Sequence, residues 1–132
     1  MRRIEIGDFL LIAEQHCGIA AEQLARIPRV VSLAEAALAA PLMRFSDGDA
    51  ILSSPGERAA MYCSRIVAYH PLPDGNKRTG YDVMREFLDR NGVPFSHPAE
   101  GFSGTAQAIE DLAARRLGEQ DFLAWVKART GG

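Results

Sequence analysis

Most of the chemistry this chain can offer lies in one uninterrupted string, His70-Pro71-Leu72-Pro73-Asp74-Gly75-Asn76-Lys77-Arg78. It places one imidazole, one carboxylate, a Gly-Asn pair and two adjacent cations on a single short connection. The two prolines near its start exclude helix there. The apolar period that follows puts the cations at the first turn of a helix, where unpaired N–H groups carry the positive end of the helix dipole. Gly75, lacking a Cβ, lets a ligand approach the backbone, and Lys77 and Arg78 add charge. The string therefore reads as an anion-binding nest suited to polyphosphate. Asp74 is placed to hold the Mg²⁺ that accompanies nucleotide phosphates. His70 supplies the one group of the string that ordinarily titrates near neutral pH and so suits general-base work. Base, metal ligand and phosphate clamp are the parts needed to activate a hydroxyl against a nucleotide phosphate. The same residues also read as a solvated turn with capping side chains, and composition alone does not separate the two.

The elements that must position this string are mostly helical. Ile6, Phe9, Leu10, Ala13 and Cys17 recur at helix spacing, and Gly18 ends the run. A short segment covers Ala20 to Arg26. Ser32-Leu33-Ala34-Glu35 forms a capping box that predicts a helix from Leu33 to Ala40, halted by Pro41. Between Leu42 and Ser54 the helical period fades, and Asp47-Gly48 among apolar residues predicts a small β-hairpin. Ser54-Pro55-Gly56-Glu57 is a second capping box, opening a helix whose stripe of Ala59, Cys63, Ile66 and Val67 runs to Tyr69 and delivers His70. After the string, Gly80, Val83, Met84, Phe87 and Leu88 give a strong helical stripe closed by Asn91-Gly92. Val93 to Gly104 reads as a loop. Ala106, Ile109, Leu112, Ala113 and Leu117 predict a helix ended by Gly118, and Phe122, Leu123 and Val126 predict the last one. The expected fold is all-α, a compact helical bundle with one small β-hairpin, in a single domain over 1–132.

Composition sets the outer bounds. With 132 residues, 47% apolar and 24% charged, the chain has the make-up of one folded globular domain. A net charge of −2 argues against binding nucleic acid or an anionic membrane through bulk charge, so any anion site must be local. Cys17 and Cys63 are too few for a disulfide framework or a zinc site and read as reduced thiols in helices, which suits the cytoplasm. Arg2 and Arg3 are followed by Glu5, Asp8 and Glu14, and the apolar run from Phe9 to Ala13 is too short for export. No stretch approaches the ~20 apolar residues of a membrane span.

The string HPLPDGNKRTG resembles the signature of the Fic/Doc family, which runs His-Pro-Phe-x-Asp/Glu-Gly-Asn-Gly/Lys-Arg. Phe87-Leu88-Asp89-Arg90-Asn91-Gly92 also resembles the end of that family's motif helix. The resemblance implies a Fic-type bundle whose hairpin, near Leu42 to Leu52, acts as a flap aligning a target segment by backbone pairing. It implies ATP and Mg²⁺ as cosubstrate and metal. His70 would be the catalytic base, Asp74 the Mg²⁺ ligand, Gly75 and Asn76 the phosphate-cradling loop, and Arg78 the phosphate-binding arginine. AMP-transferring members usually carry Gly where this chain has Lys77, and a second arginine at the place of Tyr81. In both respects the chain is similar to the Doc toxin branch. That branch implies γ-phosphate transfer to a threonine of translation elongation factor Tu, a block of translation, and a cognate antitoxin whose disordered tail folds against the toxin. AMP transfer to a protein hydroxyl and a nucleotide-binding module without turnover stand as the alternatives. Leu72 replaces the phenylalanine that anchors the loop in the core. Ser96 to Gly101 fits the family's Ser/Thr-x-x-x-Glu-Gly/Asn autoinhibitory string, but Pro98 interrupts it and it reads as a chance match. His16 reads as a packing residue, His97 and Arg115-Arg116 as surface, and Trp125 as core. Arg44 and Arg65 are free to lean toward a nucleotide, though nothing in the sequence places them.

Overall fold

A computed structural model describes residues 2–42, 54–98 and 101–131, and among these it contains helices and no strand. The helices are α1 (Ile6–Cys17), α2 (Ala21–Leu24), α3 (Pro28–Ala39), α4 (Pro55–Tyr69), α5 (Asn76–Arg90), α6 (Phe102–Ala113) and α7 (Glu119–Arg129), with a 3₁₀ turn over Ala40–Leu42. The all-α expectation holds. The hairpin flap expected near Leu42 to Leu52 falls, apart from Leu42 at the end of the 3₁₀ turn, outside the described residues. No helix among the described residues is long and apolar enough to cross a membrane.

Local chemistry explains most helix ends. Glu5 and Asp8 cap α1 reciprocally, and Gly18 closes it in the left-handed conformation. Ser54 caps α4: its Oγ accepts from the Glu57 N–H at 3.1 Å and donates to the Glu57 carboxylate at 2.9 Å. Two boundaries correct the sequence reading. Ser32 is no N-cap; α3 starts at Pro28, where a proline costs no hydrogen bond and brings its φ preset, so Ser32 and Glu35 sit exposed inside the helix. Gly118 does not end α6, which stops at Ala113, followed by Arg115 in the left-handed region (φ 61°); Gly118 is instead the N-cap of α7. The expected loop to Gly104 is also shorter, because α6 begins at Phe102.

The core forms around α4, which packs on α5, on α7 and on α3. Its Ala59, Ala60, Met61, Tyr62, Cys63 and Ile66 are all buried. Burial pushes the Cys63 thiol up to about 12, so this group is a packing side chain and no nucleophile; the two cysteines are free, Cys17 being half-buried. Gly80 lets α4 and α5 come close, since a Cβ there would stand 3.3 Å from the Cys63 carbonyl oxygen. α1 is tied to the far end of α5 by Asp8, whose carboxylate accepts two bonds from the Arg90 guanidinium at 2.9 and 3.0 Å. That bidentate pair holds the Asp8 carboxyl below its ordinary range against a smaller opposing effect of burial.

Candidate active site

Helix α4 ends where the chemistry begins. His70 is its C-cap, with its N–H on the Ile66 carbonyl at 3.1 Å and its backbone at φ 53°, ψ 56°. That left-handed conformation costs a non-glycine residue roughly 1–2 kcal/mol, so the surrounding structure must impose it. Three residues of the following loop hold it. Pro71 and Leu72 are buried immediately after it, Leu72 completely. Asn76 then locks the loop from below: its Oδ1 accepts the Leu72 N–H at 3.0 Å and its Nδ2 donates to the Leu72 carbonyl at 2.8 Å. The chain turns sharply outward, and the imidazole is exposed. Leu72 thus fills the anchoring place at which the family pattern has phenylalanine.

Helix α5 starts at Asn76 with Gly75 as N-cap and no side-chain cap. The Thr79 N–H reaches the Gly75 carbonyl at 2.9 Å, which leaves the first-turn N–H groups of residues 76–78 outside the helical ladder. A cleft of about 290 Å³ lies over this turn, lined by His70, Asp74, Gly75, Asn76 and Lys77, with Val67, Pro73 and Ala113 completing the wall. The structure thus gathers five of the six predicted site residues around one space. Arg78 is the exception: it lines the two neighbouring clefts. Asp74 is exposed and takes part in no ion pair or hydrogen bond among the described residues, so its carboxylate is available to a cation.

Three expectations change in detail. Asn76 belongs to the site through its backbone only, because its amide is spent on Leu72. Gly75 is required by the fold rather than by ligand approach alone. Its φ is 81°, and a Cβ there would stand 2.7 Å from the His16 carbonyl oxygen at the end of α1. Gly75→Ala should therefore destabilise the protein by about 2–3 kcal/mol through combined strain and clash, read as a lower midpoint in urea. Lys77 is not a free cation: its Nζ pairs with Glu110 of α6 at 2.8 Å, both side chains about half exposed.

The sequence reading missed Glu110, His16 and Asp82 as neighbours of the site. Glu110 faces Lys77, and His16 Nε2 meets Asp82 at 2.6 Å, pinning the end of α1 beside α5. Both are contacts between helices distant in sequence, and no local spacing signals them. Arg65 does not reach toward a nucleotide. Its guanidinium is bound by Glu119 and the Tyr69 hydroxyl, and Ser64 donates to the same carboxylate at 2.6 Å. Burial works to raise Glu119, but these bonds outweigh it and leave its carboxyl below the ordinary range. His97 is exposed, with Nδ1 3.3 Å from Thr105 Oγ1. Trp125 is half-buried under the Arg129 guanidinium, 3.7 Å from the ring centre. Arg44 and part of the Ser96–Gly101 string lie outside the described residues.

An imidazole at one helix exit, a carboxylate with no ion pair or hydrogen bond among the described residues and the uncapped start of the next helix line one cleft. The sequence model of the Fic/DOC family matches residues 8–88, and the chain belongs to that family. Fic/DOC proteins generally transfer nucleotide-derived groups to protein, with ATP as substrate and typically Mg²⁺. No curated protein matches the chain.

Proposed function

We propose that this protein is a Doc-like kinase that moves the γ-phosphate of ATP to a hydroxyl of a target protein. The observation that carries this reading is the pair of departures on α5, Lys77 in place of glycine and Tyr81 in place of a second arginine. The Tyr81 hydroxyl accepts from Arg85 at 2.8 Å, and its ring is held against Phe102, so the position is an aromatic wall with no phosphate clamp. In the proposed step His70 takes the proton of the target hydroxyl while that oxygen bonds to the γ-phosphorus. The bond from the γ-phosphorus to the bridging oxygen breaks, and ADP leaves. The α5 N–H groups, Lys77 and Arg78 hold the phosphates and their developing charge. Asp74 would be the residue that holds Mg²⁺, and the ion would supply charge to offset that of the phosphates; a single protein carboxylate is in keeping with how Mg²⁺ is usually held at nucleotide sites.

Cellular roles follow from the same likeness. The target is a threonine of elongation factor Tu, the consequence is arrested translation in the cytoplasm, and a cognate antitoxin with a disordered tail restrains the activity. One observation favours AMP transfer instead: Lys77 is engaged by Glu110, which leaves less of its charge for the nest. Lys77→Gly separates the two. Mass spectrometry of the modified target should find one added phosphate with the wild type and a loss of about tenfold or more in its formation with Lys77→Gly, comparable to losing a charged phosphate contact. AMP on the target of the wild type contradicts the kinase reading. Asp74→Asn should weaken Mg-ATP binding in calorimetry by about tenfold or more, because an amide cannot balance the cation, with little change in the melting temperature.

A further inference from the structure

Next to the cleft over the α5 turn lies a larger one of about 490 Å³, between the end of α4, the end of α6 and the start of α7. The two meet at Val67 and Ala113, which line both. Leu112 and Leu117 add apolar wall. One polar side is already closed. Glu119 accepts from Ser64 at 2.6 Å and from Arg65 Nε at 2.8 Å, and Arg65 also donates to the Tyr69 hydroxyl. Arg115 is different. It lines the cleft, it is exposed, and its side chain has no hydrogen bond or ion pair among the described residues, whereas Arg116 is spent on Asp111 at 3.0 Å. Its backbone is also unfavourable: Ala114 caps α6, and Arg115 follows with φ 61°, a place usually given to glycine. Among the described residues the one other non-glycine with such a backbone is His70, and the two line adjoining clefts. A long cation kept where glycine is favoured points to a use for its side chain. We propose that this cleft receives an acidic side chain of the target protein, close to the accepting hydroxyl, with the Arg115 guanidinium binding its carboxylate. The inference rests on the transfer reading given above and adds a feature by which the site selects its target.

Position and charge favour that occupant. In phosphoryl transfer the attacking oxygen and the leaving oxygen stand on opposite sides of the phosphorus, so target and nucleotide extend from His70 in different directions. The phosphates belong to the turn at 75–78, and none of those residues lines this cleft. It lies away from the phosphate nest yet joins the space at His70, where a protein substrate must lay the chain that flanks its hydroxyl. Arg65 and Glu119 offset each other, which leaves the cleft with the one uncompensated charge of Arg115. A guanidinium offers a carboxylate two parallel N–H bonds, and the Glu119 oxygens, already held by Ser64 and Arg65, do not compete for it.

Steady-state labelling of elongation factor Tu with γ-labelled ATP tests this, with the KM for each substrate read separately. Arg115→Gln should raise the KM for elongation factor Tu about tenfold, the loss of one charge-assisted contact, and leave the KM for ATP unchanged. Arg115→Gly should show the same rise together with a higher urea midpoint, since glycine suits that backbone. Arg115→Glu should raise the KM further, and changing one Asp or Glu near the modified threonine of the target to Lys should restore it. An unchanged KM for elongation factor Tu in Arg115→Glu overturns the subsite while the transfer reading stands. An equal rise in both KM values, or the absence of any restoring charge exchange, overturns it as well, since Arg115 then serves the nucleotide or the fold. No labelling of elongation factor Tu by wild type overturns the transfer reading and the subsite with it.

Discussion

His70→Ala is expected to lose 10²- to 10⁴-fold in transfer, the usual contribution of a general base, while its folding free energy moves by no more than about 0.5 kcal/mol. The two halves of that expectation have separate grounds. The imidazole is exposed and makes no hydrogen bond or ion pair among the described residues, and the backbone bond from His70 to Ile66 survives the change. The left-handed backbone supplies a sharper companion variant. His70→Gly removes the base equally but relieves the conformational penalty, so it should unfold about 1 kcal/mol later than wild type. A more stable protein without activity is the signature of a residue kept for chemistry at a cost in stability. Labelling rate and a urea midpoint for the three proteins decide it; wild-type rates in His70→Ala remove the base from the mechanism.

Asn76→Ala is expected to act in the opposite sense, through the fold first. Leu72 is fully buried, and its N–H and carbonyl are bonded by the one Asn76 amide. Truncation leaves both groups without that partner inside the protein, at about 1–3 kcal/mol each. The melting temperature should fall on the order of 10 °C. Transfer should fall with it even below the transition, because the loop that aims His70 and presents Asp74 is no longer locked. Calorimetric melting and the labelling rate at a temperature well below the melt read the two effects apart. A stable, fully active Asn76→Ala would show that the loop is held by Pro71 and Leu72 alone.

The contrast between these two residues shows what the sequence could and could not convey. His70, Asp74 and the cations were legible as a group because one short connection carries them, and the caps at Gly18 and Ser54 were legible because capping is local. Asn76 was recognised as part of the string, but its task was not, since its bonds to Leu72 depend on how the loop closes. The start of α3 escapes the sequence because Ser32 and Glu35 fit a capping pattern that Pro28, four residues after the end of α2, pre-empts. Glu110 opposite Lys77 and Phe102 opposite Tyr81 are pairings between α5 and α6. They arise from the packing angle of two helices joined through a long connection, which no periodicity in either helix specifies.

The central claim is that His70 meets the γ-phosphate. ATP labelled separately at the α- and γ-positions, incubated with the protein, Mg²⁺ and cell extract containing elongation factor Tu, tests it most directly. Label is expected on a protein band from γ-labelled ATP, none from α-labelled ATP, and none from either with His70→Ala. Protein label from the α-position, dependent on His70, would contradict it and establish AMP transfer at the same site.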